Sequence, residues 1–126
     1  MKIDEKEIEK LVNEMYGKKN CCECVLKICT EKLGLENKKE FENLAQFFGS
    51  GLNSGCVCGA LIGAILISNL KNKDLSKAEA YAISNKLHQK FIARNKVACC
   101  RILKPKKRCN EIVKNMIVDL LENELL

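Results

Sequence analysis

Apolar residues recur along this chain at intervals of three and four, the spacing of a helix with one buried face and not of a strand. Ile8, Leu11, Val12, Met15 and Tyr16 form the first such stripe, with Asp4 in the N-cap position, Glu7 in the capping-box position and Gly17 as the stop. A second helix opens at Asn20 with Glu23 three residues later and ends at Gly34. Asn37 with Glu40 opens a third, which carries Phe41, Leu44 and Phe48 to Gly49. Beyond a glycine-rich loop from Gly49 to Gly55, the run from Val57 to Leu70 is almost wholly apolar. It is shorter than the roughly 20 residues a bilayer requires and reads as a buried core helix. Gly59, Ala60, Gly63 and Ala64 give it small residues at four-residue spacing, which lets neighbouring backbones approach closely and marks it as the central helix. Ser76 with Glu79 starts a fifth helix lined by Ala80, Ile83, Leu87 and Phe91. A polar, basic loop with the only proline, Pro105, precedes a last helix from about Arg108, its inward stripe made of Cys109, Ile112, Val113, Met116, Ile117, Leu120 and Leu121.

Six helices without an alternating strand predict an all-α protein, a compact bundle around a central Gly/Ala-rich apolar helix. With 126 residues, no internal repeat and no long linker, residues 1–126 read as one cysteine-rich helical domain.

Composition changes this picture at one point, which is cysteine. Nine in 126 residues approaches the level at which composition alone signals a cysteine-built protein. The first ten residues are charged throughout and lack the apolar segment of a secretory signal, so the expected address is the cytoplasm, where thiols stay reduced. An odd count prevents full pairing within one chain, and the vicinal pairs Cys21-Cys22 and Cys99-Cys100 are poor disulfide partners. Reduced thiols, metal ligands or redox centres are the expectation.

Position narrows it further. Cys21 and Cys22 fall in the first turn after an N-cap, Cys56 and Cys58 where the glycine loop becomes the apolar helix, Cys109 at the start of the last helix, and Cys99 and Cys100 in the loop before it. Unpaired N–H groups and the positive end of the helix dipole favour a thiolate at such positions and lower its pKa. Charge points the same way: the chain carries a net charge of +6, and the stretch Arg94 to Arg108 holds seven cations and no acid. Cys29 shares a stripe with Cys22, Val25 and Leu33 and reads as a core side chain, whereas Cys24 points away from that stripe and is expected to be exposed.

Several chemistries lack their signatures. No CxxC occurs, which removes the pattern of zinc ribbons, thioredoxin-type sites and bacterial ferredoxin runs. CxC occurs at Cys22 with Cys24 and at Cys56 with Cys58, and any ligand set must combine distant segments. The glycine loop lacks the GK(S/T) ending of a phosphate loop, and no serine, histidine and acid constellation suggests hydrolysis. His88, the only histidine, lies beside the apolar face of the fifth helix and is expected to pack or be exposed there. The KPKKR run from Lys104 to Arg108 sits among cysteines in a chain poor in aromatics, which favours charge compensation over nucleic-acid binding.

The segments NCCECVL (Asn20 to Leu26), FGSGLNSGCVCGALIGAI (Phe48 to Ile65), CRIL (Cys100 to Leu103) and RCNEIV (Arg108 to Val113) resemble the C_GCAxxG_C_C family of redox-active proteins over about residues 16 to 120. The resemblance implies that the four motif cysteines are Cys21, Cys58, Cys100 and Cys109, with Gly59, Ala60 and Gly63 completing the CGAxxG element. Two features depart from the pattern. Only eight residues separate Cys100 from Cys109, where the family usually has a longer segment, and Cys22, Cys24, Cys56 and Cys99 are additional. Cys22, Cys56, Cys99 and Gly59 are therefore candidates for contact with whatever the motif cysteines hold.

The resemblance implies redox activity and leaves the cofactor open. An iron–sulfur cluster, [2Fe-2S] or [4Fe-4S], in an all-cysteine site is the first expectation, with a role in electron transfer or redox sensing, as an oxidoreductase or an electron-transfer component. Zinc or another soft metal in a Cys₄ site is the second, and metal-free thiol–disulfide chemistry the third. The basic rim suits an acidic redox partner protein, neither a membrane nor nucleic acid is expected as partner, and a homo-oligomer sharing ligands between protomers would read identically.

Overall fold

The computed structural model describes residues 3–36, 38–72, 74–104 and 109–122. Among the described residues there are seven helices, α1 (Glu5–Met15), α2 (Cys21–Leu33), α3 (Lys38–Ala45), α4 (Gly59–Lys71), α5 (Lys77–Asn95), α6 (Cys100–Leu103) and α7 (Cys109–Glu122), joined by one isolated β-bridge and no strand. The protein is an all-α bundle. No helix among the described residues is long and apolar enough to cross a membrane.

Local chemistry sets most of the boundaries. Asn20 closes a full capping box on α2: its Oδ1 accepts the Glu23 N–H at 2.8 Å and its own N–H donates to Glu23 Oε1 at 3.0 Å. Ser76 and Glu79 do the same for α5. Gly34, with φ of 66°, ends α2 in the left-handed conformation. At α1 only half of the expected box forms, since Asp4 accepts the Lys6 N–H at 3.0 Å while the Glu7 carboxylate instead takes Lys32 Nζ of α2 at 2.6 Å. The expected cap at Asn37 lies outside the described residues, as do Pro105 and the start of the last helix at Arg108.

Three boundaries differ from the expectation. The third helix stops at Ala45 and tightens into a 3₁₀ turn over Gln46–Phe48. The fourth begins at Gly59, because Val57 is held in the bridge to Cys99. Cys100 to Leu103, expected as loop, forms the single turn α6, with the N–H groups of Ile102 and Leu103 both donating to the Cys99 carbonyl.

The core is centred on α2 and α4. Their contact is the most extensive between helices among the described residues: a Cβ added at Gly63 would lie 2.8 Å from Val25 Cβ, so the backbones meet where α4 has no side chain. α4 is an inner helix as expected, and it shares the centre with α2, which touches α1, α3, α4 and α7. Cys22, Val25, Leu26, Ile28 and Cys29 are all essentially inaccessible. Ile8 and Val12 of α1 and Ile117, Leu120 and Leu121 of α7 close the core around them. The consequence for the site is positional. The N-termini of α2 and α4 come together at one end of the bundle.

Candidate thiol centre

Cys21 is the first residue of α2 and is half-buried. Its thiol lies over the start of α4, where a Cβ at Gly59 would be 3.1 Å from Cys21 Sγ and 3.2 Å from the Cys22 N–H nitrogen. Glycine at 59 thus lets the two helix starts touch. Asn20, besides capping α2, donates from Nδ2 to the Gln46 carbonyl at 3.0 Å and ties the start of α2 to the 3₁₀ turn.

Cys58 is the N-cap residue of α4, and the chain before it runs antiparallel to the approach to α6. The Cys58 N–H donates to the Ala98 carbonyl and the Cys100 N–H to the Cys56 carbonyl, both at 2.7 Å. These bonds clamp the CxC segment against the Cys99-Cys100 pair, so residues 40 and 44 apart in sequence are locked side by side. Around Cys100 wraps an unusual turn: Ser50, Gly51, Leu52 and Asn53 all have positive φ, at 53°, 60°, 63° and 51°. Three of these are not glycine, and left-handed backbone costs such residues about 1–2 kcal/mol each. Gly51 is required, since a Cβ there would sit 2.7 Å from Cys100 Cβ and 2.8 Å from the Cys56 nitrogen. The turn is held by Ser54 Oγ donating to the Gly51 carbonyl at 2.8 Å, Arg101 donating to the Ser54 carbonyl at 3.2 Å and Lys104 Nζ donating to Ser50 Oγ at 3.2 Å.

The result is a cavity of about 370 Å³ whose walls include Cys21, Cys24, Cys100 and Cys109, with Lys19 and Lys104 also on its wall. Cys58 is buried beside it, close enough to Cys21 and Cys100 for their charges to interact. Cys109 interacts in the same way with Cys21 and Cys100. Four separate segments, the starts of α2, α4, α6 and α7, therefore deliver Cys21, Cys58, Cys100 and Cys109 to one place, with Cys21 as the common neighbour. Among the described residues no three histidine, cysteine, aspartate or glutamate side chains converge closely enough to hold a single metal ion.

The additional cysteines divide. Cys22 is fully buried beneath Cys21, within charge range of Cys21 and Cys58. Cys56 and Cys99 are exposed on the outer side of the clamp and do not line the cavity. Cys29 is a core side chain. Cys24, expected on the surface, is 4% exposed and lines the cavity. Its three-residue spacing from Cys21, which puts both on one helix face, was the available signal. His88 is exposed and lies on α5, away from the thiols.

One electrostatic expectation is overturned. Helix N-termini and nearby cations were expected to lower the pKa values of thiols at helix starts, yet burial pushes those of Cys22 and Cys58 up to about 12, as it does those of Cys24 and Cys29 farther along α2. At Cys58 the Ala60 and Leu61 N–H groups pull downward without overcoming desolvation. Cys100 and Cys109 are also raised, by burial first and by Cys21 next, with Lys104 opposing. Removing a thiolate from water costs more than a helix end or one half-screened lysine returns.

An all-α bundle with four cysteines gathered from four helix starts around a loop of left-handed residues is the class of protein this fold and site define. A family profile described as "Putative redox-active protein (C_GCAxxG_C_C)" matches residues 19–122. The chain belongs to the C_GCAxxG_C_C family. No curated protein and no solved structure matches it.

Proposed function

We propose that the protein is a redox carrier or sensor that holds an iron–sulfur cluster through Cys21, Cys58, Cys100 and Cys109. The observation that carries this reading is the gathering of the four motif cysteines from four segments, with Cys21, Cys100 and Cys109 on the wall of one cavity and Cys58 buried beside it, without three of them converging on a single point. A mononuclear Cys₄ site requires four sulfurs about 2.3 Å from one ion. A cluster spreads its thiolates over a larger body, and cysteines ringing a cavity of about 370 Å³ suit that arrangement better. When bound, such a group supplies one-electron chemistry at a potential set by hydrogen bonds to sulfur, local charge and exposure.

The chain's own residues have separable parts in this. Gly51 and Gly59 let backbone pass against Cys100 and Cys21. Lys104, which draws the Cys100 and Cys109 pKa values downward, favours the thiolate forms that ligation needs. Lys19 and Lys104 on the cavity wall, with Arg101 on the adjacent turn, give a basic approach suited to an acidic redox partner.

Anaerobic purification with iron, sulfide and zinc analysis tests the proposal. The expected outcome is iron with acid-labile sulfide and visible absorbance, lost for the most part in Cys58→Ser and retained in Cys29→Ala. Colourless protein without iron or sulfide, even after reconstitution, refutes it, and stoichiometric zinc without absorbance replaces it with the soft-metal reading. Thiol–disulfide chemistry is a second reading, favoured by the free thiols Cys21, Cys24, Cys100 and Cys109 facing one cavity. It requires a protein that keeps its helical content and cycles between dithiol and disulfide without metal.

A further inference from the structure

At the opposite end of α4 the structure holds a second cavity, larger than the thiol-lined one at about 580 Å³ and free of cysteine. It opens between the C-terminal half of α4 and the N-terminal half of α5. α5 packs tightly only farther along, through Leu87 and Phe91, the two buried residues of its 19. Toward its N-terminus it stands off, so that Ile65 and Leu66 of α4 and Ile83 of α5 line the gap half-buried. Tyr81 lies at the edge, 68% exposed. Ser68, 4% exposed, also lines the gap, and its hydroxyl is fully buried without a hydrogen-bond partner. The contrast with Thr30 is instructive, because that hydroxyl, equally buried on α2, donates to the Leu26 carbonyl at 2.7 Å.

Two deficits thus coincide at one place: apolar rows that face each other without packing, and a buried hydroxyl left unsatisfied. One occupant would remove both. We propose that this cavity binds an uncharged, largely apolar small molecule whose carbonyl oxygen accepts a hydrogen bond from Ser68. The volume lies within the usual range for small-molecule sites. Among the described residues, the charged side chains on its wall are Asp74 and Lys77, exposed and of opposite sign, which gives no preference for an ion. Asn72 already donates from Nδ2 to the Ser68 carbonyl at 3.0 Å, leaving the Ser68 hydroxyl as the buried polar group to be satisfied. Ser68 lies ten residues beyond Cys58, about 15 Å along the helix axis, so the site is separate from the thiol centre.

The test uses two probes of nearly equal shape, 2-acetylnaphthalene and 2-ethylnaphthalene, titrated into the full chain and followed by amide chemical shifts. The ketone is expected to bind about three- to tenfold more tightly, the usual effect of one hydrogen bond, with shifts confined to the facing halves of α4 and α5. Ser68→Ala should abolish the preference while the hydrocarbon binds as before. Ala80→Trp, or Ser84→Trp if the first variant misfolds, should fill the cavity and block both probes. Equal binding of the two probes by the wild type, an unchanged preference in Ser68→Ala, or shifts centred on the thiol cavity would each overturn the proposal. So would concentration-dependent dimerisation that buries this face and leaves neither probe bound.

Discussion

Gly63→Ala is the sharpest perturbation of the α2–α4 contact, because two opposing effects of known size act on one methyl group. Alanine in place of glycine inside a helix favours folding by about 1 kcal/mol, and on an open helix face this would stabilise the protein. Here the new Cβ would lie 2.8 Å from Val25 Cβ and 3.0 Å from Val25 Cγ1, against the roughly 3.5–4.0 Å at which such carbons rest. Rotation of Val25 gives no relief, since its Cβ is itself the clashing atom. The helices must part by several tenths of an ångström, and Val25, Ala60 and Ala64 leave no slack because each is fully buried. Overpacking of this kind costs about 1–3 kcal/mol. With Val25 inaccessible, the upper half of that range applies, and the net loss should be about 1–2 kcal/mol. For a domain of this size that corresponds to a fall in Tm of roughly 4–8 °C. Urea and thermal unfolding followed by far-UV circular dichroism measure it. A rise in Tm, as the helix preference alone would give, would show that the two helices do not meet at Gly63, and the account of how Cys21 reaches Cys58 would fall with it.

Three further expectations follow from burial, capping and exposure. Cys29, held at about 12 by burial and then by the charge of Cys24, ionises near its ordinary value of about 9 once unfolded. The neutral thiol therefore stabilises the fold fully below pH 9 and progressively less as pH rises toward 12. Cys29→Ala should make the alkaline loss of stability shallower by about 1.4 kcal/mol per pH unit in that window, and an unchanged slope would contradict the assignment. Brief alkylation of the metal-free protein at pH 8, mapped by mass spectrometry, should label the exposed Cys56 and Cys99 before Cys22, Cys24, Cys29 and Cys58; early labelling of Cys29 would contradict its place in the core. Asn20→Ala removes both the acceptor for the Glu23 N–H and the donor to the Gln46 carbonyl, and should cost about 1–2 kcal/mol, visible as a lower urea midpoint; Asn20→Asp, which keeps the cap and loses the Gln46 bond, should recover most of it.

Helix capping was legible residue by residue, because a capping box is a short-range device: Asn20 with Glu23 and Ser76 with Glu79 act within one turn, and the structure contains both. The Gly34 stop and the inward stripe of the last helix were legible for the same reason. Where a neighbouring element intervened, the sequence misled. Glu7 was taken by Lys32 of another helix, and Val57 was drawn out of α4 by its bridge to Cys99. Cys24 was buried by the closing of the thiol cavity, for which its three-residue spacing from Cys21 gave a face but not a partner.

The four motif cysteines could be named from the chain through its family resemblance, three of them at expected helix starts and Cys100 in an expected loop. That Cys21, Cys100 and Cys109 line one cavity with Cys58 buried beside it was decided by tertiary structure. Gly59 and Gly63 let α2 and α4 meet at their N-terminal ends, the clamp at 2.7 Å brings Cys100 beside Cys58, and the left-handed turn at Ser50 to Asn53 wraps Cys100. The direction of the thiol pKa values was decided there as well. Helix ends and lysines are visible in a sequence, but desolvation depends on everything packed around the sulfur, and it outweighed the helix end at Cys58 and Lys104 at Cys100 and Cys109.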